Sequence, residues 1–320
     1  MVHRLSFRAM GTEMLLCVDN RADQPPVELD DVPQWFEEWE QSLSRFRFNS
    51  ELSLLNQAGG QPATVSETLW QVLQAARTAE KFTEGLVTPA VAKAMRNVGY
   101  DRDFQLMAGE TPIPILFEPL PIPSLDLIAW NELTRCIYLP EGLQLDFGGI
   151  AKGWAAVQVV ERLKHLGSVL MNCGGDIAIN GPLLDGRPWE VGVFKPFDRS
   201  SGYLAMLYLN QTCGVATSST DRRRWMQNGQ LRHHIIDPAS GLPAESDVTS
   251  ATVVASTAVE AEAAAKSVLI RGSVEGLHWL NSHPNLAALL ILENGQILYS
   301  DRIREYLQGV RDVNPSIRAS

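Results

Sequence analysis

The sequence predicts an α+β fold, and three observations carry that expectation. Two strand-like segments, Leu143 to Phe147 and Val169 to Met171, each run into a glycine pair. Two Asn-Gly dipeptides, Asn228-Gly229 and Asn294-Gly295, sit between strand-like runs, the short-range signal for a hairpin. Helical periods lie among these strands without the steady β-α-β alternation of a doubly wound sheet.

Taken in order, Ser6 to Val18 reads as a strand interrupted by a Met10-Gly11-Thr12 turn, followed by a polar, Pro-containing loop to Asp30. Val32, Trp35, Phe36, Trp39 and Leu43 recur at helical spacing, with Asp31 as N-cap and Pro33 in the first turn. A second helix covers Ser66 to Lys81, and Gly85 and Pro89 punctuate the loop behind it. Asp101 to Pro123 has no period and reads as an irregular excursion. Leu143 to Phe147 alternates like a strand, and Gly148-Gly149 then turns the chain into a helix whose buried stripe is Ala156, Val159, Val160, Leu163 and Leu166. Gly167 is placed as its C-terminal left-handed residue, and the next strand ends in Gly174-Gly175-Asp176. The first Asn-Gly hairpin carries Arg232, His233 and His234 on its outgoing strand. Ala258 to Ile270 is an Ala-rich helix ended near Gly272, and the second Asn-Gly hairpin adds two late strands. Residues 1–310 are expected to form one domain and 311–320 a loose tail.

Composition narrows the function. The 320 residues are 45% hydrophobic and 20% charged, an ordinary globular balance. Lys+Arg 27 against Asp+Glu 37 gives a net charge of −10, a sign that argues against nucleic-acid and anionic-membrane partners. Cys17, Cys136, Cys173 and Cys213 are widely spaced, with neither a zinc pattern nor a disulfide framework. The start, with no signal-like apolar stretch, and a longest aliphatic run of strand size, Leu286 to Leu292, lead to the expectation of a cytoplasmic chain. GxSxG, P-loop, HExxH and EF-hand patterns are absent, which removes the corresponding hydrolase, nucleotide-triphosphate, zinc-protease and calcium readings.

The segment Asp146 to Gly153 could hold phosphate oxygens at a helix N-terminus beside Lys152, or merely make a tight turn with a solvated lysine. The pair Gly174 and Gly175 permits close backbone approach to a ligand. His234, at a strand end beside a turn on Ser240-Gly241, suits a general base, or a structural donor. Glu262 and Lys266 share a helix face, as an ordinary i,i+4 ion pair or as groups aimed at a phosphate or metal. Asp221-Arg222-Arg223-Arg224 is the one basic run, a solvated hairpin strand or a patch for a pyrophosphate.

Six motifs in order carry a resemblance: Ala9-Met10-Gly11-Thr12; Ser44-Arg45-Phe46-Arg47-Phe48-Asn49-Ser50-Glu51-Leu52-Ser53 leading to Asn56; Asp146-Phe147-Gly148-Gly149-Ile150-Ala151-Lys152-Gly153; Asn172-Cys173-Gly174-Gly175-Asp176; Ala216-Thr217-Ser218; and His234-Ile235-Ile236-Asp237-Pro238 with Ser240-Gly241. From about Phe7 to Gly272 the chain resembles the ApbE family, the FAD:protein FMN transferases. The resemblance implies mixed sheets with packed helices and a ligand cleft between subdomains. It implies an Mg²⁺-dependent enzyme that cleaves FAD and attaches FMN through a phosphoester to a Ser or Thr hydroxyl of a target protein, releasing AMP. It implies FAD contacts from Met10, Phe46, Thr88, Asp146, Lys152, Gly174, Gly175, Ser218, Ile236 and Asp237, and His234 as the base for the acceptor hydroxyl.

The chain departs from the family at two places. Where the family has Ala-Asp and a Thr four residues after the Asp as metal ligands, this chain has Ala261-Glu262 and Lys266. The implied metal set is therefore Glu262, position 266 and the Gly149 carbonyl, although a protonated lysine cannot ligate. The family's Phe-Asp before Pro stands here as Val87-Thr88. An FAD-holding relative without transfer activity, and an FAD pyrophosphatase with water as acceptor, are the competing readings.

Overall fold

The computed structural model describes residues 1–107, 121–198, 200, 202–227 and 229–307. Asn228 and the expected tail at 311–320 lie outside the described residues, as does most of the Asp101 to Pro123 excursion, whose described start holds a 3-10 turn at Phe104–Met107.

The chain opens with β1 (Val2–Ala9) and β2 (Thr12–Asp19), paired antiparallel through Met10 and Gly11, both at positive φ (47° and 69°). That backbone matches the twist of the flanking strands. α1 (Val32–Leu43) forms as its apolar period requires, burying Val32, Phe36, Trp39 and Leu43, and Asp31 precedes it without a side-chain cap bond. α2 (Glu51–Gln57), which the periodicity did not disclose, is capped by the Ser50 hydroxyl, an acceptor for Ser53 N–H at 3.0 Å. After β3 (Pro62–Thr64), Ser66 caps α3 (Glu67–Phe82) in the same way and α4 (Ala92–Asn97) follows; β4 (Ala129–Asn131) and β5 (Cys136–Tyr138) then complete a small sheet in the order β3-β5-β4.

Leu143 to Phe147 is a correction: the segment is extended but belongs to no strand. Its alternation is real, since Leu143, Leu145 and Phe147 are buried, but its backbone finds other partners. The Asn56 side chain donates to Leu145 O (2.9 Å) and accepts from Leu145 N–H (2.8 Å), while Asp146 N–H donates to Pro89 O (2.8 Å). An asparagine and a loop carbonyl satisfy here what a neighbouring strand would otherwise satisfy.

α5 (Ala151–Leu163) starts directly behind Gly148-Gly149, and a 3-10 turn at Lys164–Leu166 leads to Gly167. Gly167 stands at φ 147°, ψ −146°, beyond the left-handed helical region expected for it, and a Cβ there would meet Asp19 O at 2.3 Å. β6 (Ser168–Cys173) and β7 (Asp176–Ile179) form a hairpin around Gly174 and Gly175. β8 (Trp189–Phe194) pairs with β9 (Tyr203–Leu209) as a separate ribbon. Then come β10 (Cys213–Ser219), the hairpin of β11 (Arg224–Gln227) and β12 (Gln230–His233), the short pair β13 (Ile236–Asp237) and β14 (Leu242–Pro243), and β15 (Val248–Ala255). The Ala-rich helix that starts at Ala258 breaks at Gly272 as expected, where φ 78° and ψ 177° are not helical; a second helical stretch follows directly, and the two together are α6 (Ala258–Ser282). β16 (Ala287–Leu292) and β17 (Ile297–Tyr299) are the two late strands announced by Asn294-Gly295.

Eight strands form one sheet in the order β1-β2-β6-β7-β10-β15-β16-β17. Helices α5 and α6 pack on one face of it, and the β8–β9 ribbon covers the other through Trp189, Val193, Leu207 and Leu209. Adjacent residues of β10 serve opposite layers: Ala216 faces α6 and Val215 faces the ribbon. The architecture is α+β, with a mixed set of sheets and packed helices. Among the described residues no helix is long and apolar enough to cross a membrane.

Candidate active site

Two adjoining cavities share the wall residues Phe46, Tyr100, Asp146, Gly148 and Arg223. Thr88, Gly149, His234, Ile236 and Lys266 line the first cavity alone; Met10, Gly11, Glu40 and Lys152 line the second alone. The Gly148-Gly149 turn, the loop behind α3, the end of the β11–β12 hairpin and helix α6 thus converge on one bipartite cleft.

Asp146 is fixed at the centre of the shared wall. Its Oδ2 accepts from Arg45 Nε at 2.6 Å and its Oδ1 from Gly148 N–H at 2.6 Å. Arg45 also donates to Tyr100 O (2.8 Å) and lies over the rings of Phe46 and Tyr100, at 4.1 and 4.9 Å. Tyr100 stacks in turn on Trp225, with centroids 5.4 Å apart, and the Trp225 indole donates to Val98 O at 2.7 Å. An aromatic wall is held in place by a guanidinium that also neutralises the one carboxylate facing both cavities.

Behind the turn lies a buried quartet of charges. Lys152 Nζ donates to Asp176 and, at 2.8 Å, to Glu262 Oε1; Lys266 Nζ donates to the same Glu262 oxygen at 3.0 Å. The second Glu262 oxygen accepts from Gly153 N–H at 2.9 Å, and the Glu262 side chain is 0% exposed. This last bond requires α5 and α6 to approach closely, since a Cβ at Gly153 would stand 2.8 Å from Ala258 O. Burial works to raise the Glu262 carboxyl, but Lys152 and Lys266 outweigh it and hold it at about 2. Burial also raises Asp176, with the Glu262 charge adding to the effect. Lys152, which burial would lower, is raised by its two carboxylates, whereas burial prevails at Lys266 and lowers it.

This donor set does not suit Mg²⁺. A magnesium ion asks for several hard oxygens in an octahedron, and both Glu262 oxygens are already committed to two ammonium groups and an amide. Position 266 presents a cation next to Gly149, which repels a second cation brought to the Gly149 carbonyl. Among the described residues no cluster of three or more His, Cys, Asp or Glu side chains has metal-binding proximity.

The two histidines of the hairpin divide their roles. His233, on β12, uses both ring nitrogens on the backbone: one bonds Ala244 O at 3.1 Å and the other accepts from Ile235 N–H at 3.3 Å. His234, immediately past the strand, has a buried Nδ1 with no hydrogen-bond partner. Burial, assisted by Arg223 and Lys266, pushes its pKa well below the ordinary histidine value, so the ring is neutral and able to accept a proton.

Of the positions expected from the sequence, the cleft brings together Met10, Phe46, Thr88, Asp146, Gly149, Lys152, His234, Ile236 and Lys266, with Glu262 directly behind them. Four others do not line it. Gly174 and Gly175 form the β6–β7 turn, with Gly175 N–H donating to Asn172 Oδ1 at 2.7 Å; a Cβ at Gly174 would meet Thr12 Oγ1 at 2.3 Å, so the close approach is to Thr12. Ser218 is buried in β10, and Asp237 closes its own turn by accepting from Ala239 N–H at 2.9 Å. Arg45 and Tyr100 were not singled out as site residues, and Arg223 was offered only within the basic run, as a solvated strand or a pyrophosphate patch. Arg45 and the basic run were visible in the sequence, but the fold alone shows that the run's third residue turns inward, at φ 47°.

The ApbE family pattern matches residues 10–290. A protein of Treponema pallidum named FAD:protein FMN transferase is 28% identical over 313 residues, covering 86% of this chain and 81% of that one. One of Klebsiella pneumoniae with the same name is 26% identical, covering 84% and 83%. The ApbE protein of Thermotoga maritima superposes with a TM-score of 0.85 at 22% identity, covering 97% of this chain and 100% of that one, and the flavin transferase ApbE of Vibrio cholerae with 0.76 at 22%, covering 96% and 99%; both likenesses are of fold. With the family pattern spanning the elements that build the cleft, from the Met10 turn through α6, the chain belongs to the ApbE family.

Proposed function

We propose that this chain is an FAD:protein FMN transferase. The observation that carries the reading is His234, a neutral imidazole with an unpartnered buried nitrogen, in the wall of a bipartite cleft that also holds Asp146, Lys152 and Lys266. A dinucleotide has two ring systems joined by a pyrophosphate, and two cavities meeting at a common wall suit that shape. Phe46, Tyr100 and Met10 offer apolar surface to the rings, and Ile236 closes the side of the first cavity.

In the proposed reaction a Ser or Thr hydroxyl of a partner protein enters beside His234, which takes its proton. The oxygen attacks the FMN phosphorus, the bond to the bridging pyrophosphate oxygen breaks, and AMP leaves. Asp146, locked by Arg45 and Gly148 N–H, orients the dinucleotide. Mg²⁺, which the family resemblance implies, supplies no step here because the donor set does not suit it. We place the chain in the cytoplasm as part of the same proposal, a reading supported by four free cysteines, three of them buried.

The test is incubation with FAD and candidate acceptor peptides carrying Ser or Thr, read by mass spectrometry and by AMP release. The reading expects stoichiometric AMP and an FMN adduct on the peptide, both lost in His234→Ala while FAD binding persists. AMP without an adduct would instead identify a pyrophosphatase, and binding without either product an FAD-holding protein.

A further inference from the structure

Resting on the reading that FAD is the ligand, we propose that two cationic side chains of the chain itself, Lys266 and Arg223, neutralise the FAD pyrophosphate, so that the site works without a divalent cation. Three observations converge on this. First, Lys266 lines the first cavity with its ammonium hydrogen-bonded to Glu262 Oε1 at 3.0 Å, and an ammonium has three donors. Second, the turn is shaped around this lysine: Gly149 has no positive φ to explain a glycine, but a Cβ there would stand 3.3 Å from Lys266 Cε. Third, Arg223 belongs to the wall common to both cavities, where the middle of a ligand spanning them must pass, and the middle of FAD is its pyrophosphate.

The charges agree. Lys152 and Lys266 against Asp176 and Glu262 make a neutral quartet, and Arg45 cancels Asp146. Arg223 is then the cation that the shared wall offers to an incoming dianion. A divalent ion added beside Lys266 would have to displace the ammonium from Glu262, whereas phosphate oxygens accept from lysine and arginine directly.

The experiment measures FAD affinity of the purified chain by flavin fluorescence, in EDTA and in excess Mg²⁺, with Mn²⁺ uptake by the FAD complex followed by electron paramagnetic resonance. The proposal expects wild-type affinities that agree within about twofold in the two buffers and no Mn²⁺ held by the protein. Lys266→Met and Arg223→Gln should each weaken FAD binding about tenfold or more in both buffers, as expected for a lost charged hydrogen bond. Arg223 lies outside the buried quartet, so its variant tests the idea even where Lys266→Met fails to fold. Binding that appears only with Mg²⁺, stoichiometric Mn²⁺ in the complex, or wild-type affinity in Arg223→Gln would overturn the proposal and leave the transferase reading standing. No FAD binding in either buffer would remove the transferase reading, and this inference with it.

Discussion

The side chain of Lys266 crosses the Gly148-Gly149 turn at the one point where position 149 lacks a Cβ, with its Cε 3.3 Å from where that atom would be. Glycine there makes room for a neighbour's stem, with no demand from φ. Gly149→Ala should therefore fold, within about 1 kcal/mol of the wild type because a lysine stem shifts readily, yet bind FAD more weakly as the ammonium is displaced. Paired urea unfolding and FAD titration check this; unchanged affinity would show that Lys266 does not depend on that passage.

Glu262 is the common acceptor of both lysines. Glu262→Gln leaves two buried ammonium groups facing Asp176 alone, and removal of one partner from a buried ion pair typically costs ~3–5 kcal/mol. The urea midpoint should fall by that equivalent with the slope unchanged. A loss under about 1 kcal/mol would mean that water already shares these charges.

The pH profile of transfer follows from His234. A base acts when deprotonated, and burial with Arg223 and Lys266 lowers its pKa well below the ordinary value. The acidic limb of the rate should consequently lie below the usual histidine pKa of about 6.5. Arg223→Gln should move that limb upward in pH, since one of the charges that disfavour imidazolium is gone. A limb at or above the ordinary value in the wild type would contradict the assignment.

Arg45 should matter through Asp146. Its guanidinium is 6% exposed and the carboxylate 11%, so Arg45→Ala leaves an uncompensated charge in the cleft wall. We expect a stability loss of ~3 kcal/mol or more together with weaker FAD binding, and Arg45→Lys should restore the charge without the bond to Tyr100 O. Thermal unfolding and FAD titration of both variants separate the two effects.

Gly174 tests the distinction between a turn and a ligand contact. Gly174→Ala forces a side chain onto φ 67° and against Thr12, a combined cost of ~1–3 kcal/mol. FAD affinity of the folded fraction should be unchanged. A specific loss of affinity would return Gly174 to the cleft.

The fold class, α1, α3, the stripe of α5 and the β16–β17 hairpin were legible because each obeys a local period or turn rule. Leu143 to Phe147 misled because burial alternates in any extended segment packed on a core, whether or not a strand lies beside it. α2 was missed because seven residues are too few to establish a period. At the site, the motif residues Met10, Phe46, Asp146 and Lys152 come together in the walls of the cleft. The basic run was legible as a pyrophosphate patch, but which of its arginines enters the cleft was not, because a left-handed backbone turns Arg223 inward; Tyr100 reaches the cleft wall through a stack with Trp225 that no local pattern discloses.

The bonds that assemble the cleft join distant parts of the chain: Arg45 to Asp146 spans 101 residues, Lys152 to Glu262 110, and Trp225 to Val98 127. Loops of that length close only after much of the molecule has collapsed. A nascent chain still lacking α6 has Lys152 and Asp176 but no Glu262 or Lys266 to complete the quartet, and no wall behind the Gly149 turn. The pocket is thus a late product of synthesis, and flavin has no finished berth on an incomplete polypeptide.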